Sequence, residues 1–475
     1  MPDESTEAPS ALVQELLREL AERDISWCQW KSTIDLDRAA SGASDLDLLV
    51  ARSDQPAVLE ALGRLGFREA DPPSEKAAFG VRSFFGFDPD APRLIHAHVH
   101  YLLMIGHDLS KGYRLPLEDD FLSSSRQNGA FRVPAPEMEY VAYVIRMVLK
   151  RGTLDSILRG RGRLSERESN ELDWLEERAD PDRVSDVLES RLALVDPETL
   201  ARCREALRPG ASAWQLWQCG RRVRDVMAGH SPRSPLADAG FRLGRTLSYR
   251  VRKMGRQDSP RHTPAAGGFI VAAVGSDGAG KSTALDSVEE WLSKDLDVLR
   301  VHLGKPPWSR TSAFVRGSLK LGRMAGGLKT VSELSKLLCV ARDRKLAYRK
   351  AASAAARGRI VLCDRYPLPG LINLDGPLAR ELTDGKPDGS FARFAVATEE
   401  KMYDTFERPD LLFVLQLPAD ISLTRKPEDN PERVSRWAHE VLETDWSSSG
   451  AVVLDATRSA AEIAAEMKRH IWRRI

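Results

Sequence analysis

The chain has 475 residues, and its 70 lysines and arginines nearly balance its 69 aspartates and glutamates, leaving a formal net charge of +1. This balance excludes a global electrostatic preference for nucleic acid or for an anionic membrane surface. Hydrophobic residues make up 42% and charged residues 29%, which is ordinary for a soluble protein. A chain of this length is expected to hold two or three domains.

The cysteines and the N-terminus indicate the compartment. Five cysteines are scattered along the chain without a C-x-x-C pair, which predicts reduced thiols instead of a disulfide framework or a zinc site. The acidic N-terminus lacks the charge pattern of a signal peptide. No uncharged run approaches the roughly 20 residues that a membrane helix needs. We therefore expect a cytoplasmic protein without a membrane span.

The first segment, residues 1–133, is predicted to be an α+β domain. Residues 10–23 carry Leu and Val at helical spacing, which predicts an amphipathic helix. Asp45 and Asp47 follow on one face of a strand, because side chains alternate along a strand with period two. Two carboxylates so arranged are suited to holding a divalent metal against a triphosphate, so both are candidate metal ligands.

Residues 10–130 resemble the nucleotidyltransferase fold, in which a Gly-Ser turn precedes a D-x-D strand by about this distance. Lys31-Ser32 stands here where Gly-Ser is usual. The family takes a third carboxylate from a neighbouring strand, whereas the candidate strand of this chain offers three histidines: His96, His98 and His100. They can ligate a metal, although imidazole suits softer ions than Mg²⁺, or form a polar, half-exposed strand. A working transferase site and a fold reused for binding both stay open.

Two further segments precede the C-terminal domain. Residues 134–227 carry apolar residues at helical spacing, which predicts a helical extension. Residues 228–267 combine Pro, Ser and Gly clusters with a basic stretch, as in a linker. A basic stretch can touch nucleic acid or an anionic surface, but a solvated connecting helix is the favoured interpretation. Nucleic acid is therefore not an expected partner.

A phosphate-binding motif dominates the rest of the chain. An apolar run predicts a buried strand over residues 269–274, and the sequence G-x-x-x-x-G-K-S follows from Gly275 to Ser282 before a helix. The backbone N–H groups of such a loop and the helix N-terminus converge on phosphate oxygens. Lys281 can reach the β- and γ-phosphates and Ser282 can ligate Mg²⁺, so ATP and Mg²⁺ are the expected cofactors. The predicted cofactor-binding residues are Gly275, Ser276, Gly278, Ala279, Gly280, Lys281, Ser282 and Thr283.

Five apolar strands separated by helical stretches predict a parallel α/β sheet in this C-terminal domain. They are expected at 269–274, 298–303, 360–363, 411–417 and 451–454. Because ligands bind beyond the carboxyl ends of such strands, the residues that follow each strand are informative. Asp364 follows the strand 360–363 and can hold the water shell of Mg²⁺, while Arg365 can neutralise a transferring phosphoryl group.

Residues 268–475 resemble thymidylate kinases and the wider nucleoside-monophosphate kinase group. The resemblance is carried by the phosphate-binding loop, Asp343-Arg344 in a long helix, Asp364-Arg365-Tyr366, and the strand that begins Arg408-Pro-Asp. It implies a five-stranded parallel P-loop kinase sheet with helices on both faces. It also implies that Asp277 faces the sugar of the acceptor, Arg344 its phosphate, and Arg365 the phosphoryl group in flight.

A basic segment after residue 424 has the composition of a mobile lid, with Arg425 and Arg433 as candidates to reach the phosphates. The candidate catalytic residues are Asp277, Lys281, Arg344, Asp364, Arg365, Arg425 and Arg433. The candidate metal ligands are Ser282, Asp364, Asp45 and Asp47.

The leading functional prediction is an ATP-dependent phosphotransferase that acts on a small acceptor, a nucleotide or a sugar, fused to a nucleotidyltransferase-like domain. The segments after residues 302 and 366 depart from the thymidylate kinase pattern and supply no thymine pocket, so the acceptor stays open. The alternatives are a bifunctional kinase and nucleotidyltransferase that acts on a sugar or glycan precursor, and an NTP-dependent switch without a small-molecule acceptor. Arg365 and the lid arginines favour transfer over switching. A homodimer is left open as the assembly state.

Overall fold

The computed structural model describes residues 8–74, 76–90, 93–107, 111–158, 160, 162–192, 195–255, 261–304, 306, 309, 312, 329–368, 375–427 and 430–475. The chain divides into two compact units, Met1–His262 and Thr263–Ile475. The division falls inside the range 228–267 that the sequence assigns to a linker, and residues 256–260 of that range lie outside the described residues. The four predicted segments stay a prediction.

The first unit combines short strands with many helices. Its strands are β1 (Trp27–Gln29), β2 (Leu46–Val50), β3 (Arg68–Asp71), β4 (Val81–Gly86), β5 (Ile95–His100), β6 (Met104–Ile105), β7 (Tyr113–Arg114), β8 (Arg126–Asn128) and β9 (Phe131–Val133). Its α-helices are Ala11–Glu22, Leu36–Ala40, Gln55–Arg64, Glu118–Ser124, Pro136–Arg151, Leu154–Leu158, Glu166–Arg178, Pro181–Ser190, Pro197–Leu207, Ala213–Val226 and Pro235–Gly255. Short 3-10 helices lie at Thr33–Asp35, Arg52–Asp54 and Ala228–His230.

Five of these strands form a mixed sheet in the order β1-β2-β5-β4-β3. Strand β2 pairs parallel with β5, and β4 pairs antiparallel with both β5 and β3. The register of β2 against β5 sets Asp47 opposite His98 and Leu49 opposite His100. The acidic strand and the histidine strand of the sequence are therefore direct neighbours.

The helices around this sheet follow the hydrophobic pattern. The helix Ala11–Glu22 begins after Ser10, whose hydroxyl accepts a hydrogen bond from the N–H of Val13, and it buries the apolar face that the sequence predicts. The helix Pro136–Arg151 is buried on nearly all sides, and its core position Glu139 accepts a 2.5 Å hydrogen bond from the Thr33 hydroxyl. Burial raises the pKa of this carboxyl to about 7.

The second unit is built on parallel strands. They are β11 (Phe269–Gly275), β12 (Val298–His302), β13 (Ile360–Asp364), β14 (Leu411–Gln416) and β15 (Val452–Asp455), and the two-residue strand β10 (Thr263–Pro264) precedes them outside their sheet. The α-helices are Lys281–Leu292, Lys329–Ala355, Ala379–Leu382, Gly389–Tyr403, Ala419–Arg425, Pro431–Glu443 and Ala460–Arg474, with a 3-10 helix at Ser447–Ser449.

Five strands of this unit form a sheet in the order β12-β13-β11-β14-β15, and each neighbouring pair is parallel. The predicted five-stranded parallel sheet is thereby confirmed. Every residue of β11 is buried, because alternate side chains pack on opposite faces and both faces are covered. The carboxyl ends of β11 and β13 lie side by side, with Ala273 opposite Asp364.

Among the described residues, no helix combines the length and the apolar character that crossing a membrane requires.

Candidate functional site

The loop after β11 has the backbone that its glycines allow. Gly275 and Gly280 have φ angles of 152° and 81°, in the region that favours glycine. A Cβ at Gly275 would lie 2.5 Å from the carbonyl oxygen of Leu415 on the neighbouring strand, so the close approach of two strands also requires glycine. The helix Lys281–Leu292 begins directly after this turn. Its first-turn N–H groups therefore face the loop, as an anion site requires.

Lys281 is folded into this loop. Its ammonium donates hydrogen bonds to the carbonyl oxygens of Gly275 at 2.9 Å and Ser276 at 2.7 Å. Burial, aided by the nearby Arg365, lowers the pKa of Lys281 to about 8. The hydroxyl oxygen of Ser276 is buried and has no hydrogen-bond partner in the described part of the chain. A buried cation and an unsatisfied hydroxyl in a glycine loop fit a phosphate chain better than a structural turn.

Asp364 lies at the end of β13 beside the start of the helix Lys281–Leu292. Its Oδ2 accepts a 2.7 Å hydrogen bond from the hydroxyl of Ser282 and lies 3.0 Å from Nη2 of Arg300. Burial opposes ionisation, but these two partners lower the pKa of Asp364. The oxygens of Ser282 and Asp364 are the kind of ligand that Mg²⁺ prefers, so the pair fits that ion. The sequence prediction missed Arg300, although a charge in the middle of an apolar strand was a usable signal.

Arg365 directly follows β13 in an uncommon backbone conformation. Its φ of 64° lies in the left-handed region, which costs a non-glycine residue roughly 1–3 kcal/mol. The side chain donates a 2.5 Å hydrogen bond to Asp277 and lies 3.6 Å from Oδ2 of Asp375, and its guanidinium stacks 5.2 Å from the ring centroid of Trp437. These contacts hold the arginine at the carboxyl edge of the sheet.

All five N–H groups of Arg344 donate hydrogen bonds within its own unit. Its five N–H groups donate to the backbone oxygens of Leu303, Gly304 and Asp375, to Oδ1 of Asp375 and to the hydroxyl of Tyr403, at 2.6 to 3.0 Å. A guanidinium has five N–H donors, so each donor of Arg344 has a partner in this structure. This differs from the role that the resemblance implies for Arg344.

Asp375 is the second residue that sequence reasoning missed. Its Oδ1 accepts a 2.6 Å hydrogen bond from Arg344, whereas the buried Oδ2 has no hydrogen-bond partner among the described residues. Burial raises the pKa of this carboxyl despite the neighbouring arginines. The residue lies in the segment that departs from the thymidylate kinase pattern, and that departure was its only signal.

The two lid candidates lie in different surroundings. Arg425 donates to the carbonyl oxygens of Ala456 at 3.0 Å and Gly278 at 3.3 Å, which ties it to the phosphate-binding loop. Arg433 stacks 4.9 Å from the ring centroid of Trp437, the ring that Arg365 also contacts. Arg433 and Trp437 line a cavity of about 650 Å³. Of the remaining loop residues, Ala279 is fully buried and Thr283 is exposed.

The first unit holds a separate cluster around Asp47. This carboxylate is 5% exposed, and its Oδ1 lies 2.9 Å from the ammonium of Lys31 and 3.4 Å from both Nδ1 of His98 and Nε2 of His100. Burial opposes ionisation, yet Lys31 and the two imidazoles hold the pKa of Asp47 well below its usual range. Burial lowers the pKa of His100 to about 3, so this imidazole is neutral.

Asp45 lies just before β2 and has a different partner. Its Oδ1 is 3.1 Å from Nδ1 of His96, and the carboxylate is 54% exposed. His96, His98 and His262 bring one ligand atom each within 4.8 Å of one another. The two predicted metal ligands of this unit, Asp45 and Asp47, are thus each engaged by the histidine strand. The sequence offered no signal for His262, which is distant along the chain.

The described residues of the second unit form an α/β sheet with a glycine loop, a buried lysine and an acidic strand end at one edge, an arrangement typical of nucleotide-binding domains. The chain is similar to the thymidylate kinases of three Xanthomonas campestris pv. campestris strains, B100, 8004 and ATCC 33913. Each is 32% identical over 160 residues, which cover 34% of this chain and 60% of the relative. This similarity supports a kinase-like domain. The chain therefore spans about 60% of the length of these relatives, and no protein-family model matches it.

Proposed function

We propose that the unit Thr263–Ile475 is an ATP-dependent phosphotransferase that delivers a γ-phosphoryl group to a small acceptor. The observation that carries this proposal is the convergence of Lys281, Ser282, Asp364 and Arg365 at the neighbouring ends of β11 and β13. Phosphoryl transfer depends mainly on positioning and on charge stabilisation, and these four residues offer both. The similarity to thymidylate kinases supports a kinase-like enzyme.

ATP would supply the transferable phosphoryl group, and Mg²⁺ would supply positive charge that offsets the charge of its phosphates. The loop N–H groups and the Lys281 ammonium would hold the phosphates, and Lys281 would then release the carbonyl oxygens of Gly275 and Ser276. The oxygens of Ser282 and Asp364 would hold the cation. Arg365 neutralises the charge that develops during transfer, and Arg425 stabilises the loop through Gly278.

We further propose that the acceptor presents a hydroxyl group instead of a phosphate. Arg344 has no N–H left for an acceptor phosphate, since each one already has a partner. Oδ2 of Asp375 can take the proton of the attacking hydroxyl as its oxygen bonds to the γ-phosphorus and ADP leaves. The cavity beside Trp437 gives room for a small alcohol, of which sugars and glycan precursors are one class.

The role of the first unit as a nucleotidyltransferase stays a prediction. A switch protein without an acceptor is the second candidate for the whole chain. It is favoured by the hydrogen bonds of Lys281 and Arg344, which go to groups of their own unit.

The test is ADP release by the full chain with two acceptor panels, nucleoside monophosphates and unphosphorylated alcohols such as nucleosides and sugars. We expect acceptor-dependent turnover with the second panel and its loss in Lys281→Ala. Lys294→Ala, which changes an exposed lysine just after the same helix, is the matched control. Equal slow hydrolysis under all conditions would support the switch. Turnover with monophosphates alone would refute the hydroxyl acceptor and leave the kinase assignment standing.

A further inference from the structure

Three ligand-type atoms converge on one point of the sheet in the first unit. Oδ1 of Asp47 lies 3.4 Å from Nδ1 of His98 and 3.4 Å from Nε2 of His100. All three residues offer ligand atoms within 4.8 Å of one another. The register of β2 and β5 enforces this arrangement, because it sets Asp47 directly opposite His98, and His100 lies two residues further along β5 on the same face.

These separations match the edges of a metal coordination tetrahedron. Zinc binds histidine nitrogen and carboxylate oxygen at about 2.0–2.1 Å, so two of its tetrahedral ligands lie about 3.3–3.4 Å apart. The two Asp47 distances have this length. A hydrogen bond between nitrogen and oxygen is usually shorter, with a mode of about 2.9–3.0 Å.

The cluster also leaves buried polar atoms unsatisfied. His100 is 1% exposed, and neither of its ring nitrogens has a hydrogen-bond partner in the described part of the chain. Oδ1 of Asp47 has the Lys31 ammonium at 2.9 Å but accepts no hydrogen bond of good geometry. Buried polar groups are nearly always paired, so a buried imidazole without a hydrogen bond beside a carboxylate calls for a ligand. A cation that takes a lone pair from each atom satisfies both groups.

We propose that Asp47, His98 and His100 bind one divalent transition-metal ion, for which zinc is the best fit. Two imidazoles and one carboxylate are a common ligand set for zinc, whereas Mg²⁺ prefers an octahedron of oxygens. The fourth coordination position of the ion is left for water or for a small molecule bound to the first unit. The proposal is independent of the kinase activity assigned to the second unit.

Lys31 competes with this ion. Its ammonium lies 2.9 Å from the same oxygen, Oδ1 of Asp47, and 22% of its side chain is exposed. A bound metal displaces the ammonium toward solvent, because two cations repel each other at one carboxylate oxygen. Removing this charge is therefore expected to strengthen metal binding, an effect that a purely structural ion pair does not predict.

A second group of histidines lies next to the first and shares one member with it. His96, His98 and His262 also bring ligand atoms within 4.8 Å of one another. His98 cannot serve both groups with one nitrogen. The Asp47 group is favoured because it supplies a negative charge and contains the buried, unsatisfied His100. Variants of His100 and His262 distinguish the two positions.

The experiment uses the full chain, stripped with a chelator and then exchanged into metal-free buffer. Zinc content is measured by elemental analysis after reloading, and affinity by competition with a chromophoric chelator. We expect one zinc per chain, and visible absorption bands of tetrahedral Co²⁺ when cobalt replaces zinc. His98→Gln should weaken binding by about 100-fold or more, since even outer partners of metal ligands contribute 10–100-fold. Lys31→Met should strengthen it.

The controls separate this site from adventitious binding and from misfolding. His439→Ala, which removes an imidazole 70% exposed in the other unit, should leave zinc affinity unchanged. Because His100 is buried, His100→Asn is paired with thermal unfolding of the metal-free protein to establish that it folds. A wild-type chain without stoichiometric zinc, or a zinc affinity insensitive to His98→Gln, would overturn the proposal. Loss of binding in His262→Ala with retention in His100→Asn would overturn the position assigned to the ion.

Discussion

Arg365 and Asp277 join the end of β13 to the phosphate-binding loop through a 2.5 Å hydrogen bond between guanidinium and carboxylate. Arg365 makes this contact from a left-handed backbone conformation, φ 64°, that few non-glycine residues adopt. Such strain persists where the surroundings over-determine it, and it is common at sites of catalysis. The pair is therefore the clearest structural indication that this edge of the sheet is adapted to chemistry.

Arg365→Ala is expected to lower kcat by about 100-fold or more while changing ATP affinity by a few-fold at most. The guanidinium contacts Asp277 and Asp375, not the Ser282–Asp364 pair that fits the metal. Steady-state turnover and equilibrium ATP binding measured on the same preparation check this. Arg357→Ala, an exposed arginine, serves as the control. Equal losses in turnover and in affinity would assign Arg365 to the ATP side of the site.

Asp375→Asn is expected to reduce turnover by about 10²–10⁴-fold, because the amide still accepts the Arg344 hydrogen bond but cannot take a proton. ATP affinity should stay within a few-fold of the wild type. Asp384→Asn makes the same chemical change at an exposed position of the unit and should have no effect. Wild-type turnover in Asp375→Asn would remove the residue from the proton-transfer step.

The pH dependence of ATP binding should report Lys281. Its pKa is lowered to about 8 by burial, so the ligand-free site loses a positive charge as pH rises through that value. We expect ATP affinity to fall by about tenfold per pH unit on the alkaline side, because binding must then be accompanied by proton uptake. Titration calorimetry in buffers of different ionisation enthalpy measures both the ATP affinity and the number of protons taken up on binding. Lys281→Met should bind ATP more weakly, with an affinity that does not fall as pH rises through about 8. A wild-type ATP affinity that stays constant through this range would contradict the role of Lys281 in ATP binding.

Glu139 should make the stability of the first unit depend on pH. Burial raises the pKa of its carboxyl to about 7, so the folded state favours the protonated form. The contribution of this carboxyl to the free energy of unfolding is complete below its pKa in the unfolded chain. It is lost as pH rises through about 7, a change on the order of 3 kcal/mol. Glu139→Gln should therefore raise the melting temperature of the first unit above neutral pH and change it little in acid. Scanning calorimetry over a pH series tests this, and equal shifts at all pH values would contradict it.

The sequence predicted the parallel sheet well because its strands are buried on both faces and read as nearly continuous apolar runs. The strand expected at 360–363, for example, is Ile360–Asp364 in the structure. The glycine loop was equally readable, since Gly275 and Gly280 have conformations that glycine favours. Local pattern and local backbone agree at these positions.

The partners of the site residues could not be predicted in the same way. Asp375 meets Arg344, and Lys31 meets Asp47, across long stretches of chain that only the folded topology brings together. The resemblance assigned Arg344 to an acceptor phosphate, but it could not foresee that Asp375, in a segment without a family pattern, would accept two of its hydrogen bonds. Likewise, the register of β2 against β5, not the spacing of either strand, makes neighbours of Asp47 and His98.

The strand order β12-β13-β11-β14-β15 has a consequence for synthesis of the chain. The central strand β11 is the first of the five to leave the ribosome, yet both of its neighbours, β13 and β14, come later than β12 in the sequence. Until β13 and β14 have been synthesised, the apolar strand β11 exposes two unpaired edges. Closing the long loops between β11 and these partners slows folding. Slow translation through residues 269–360 should therefore increase aggregation and chaperone dependence more than slow translation after residue 416.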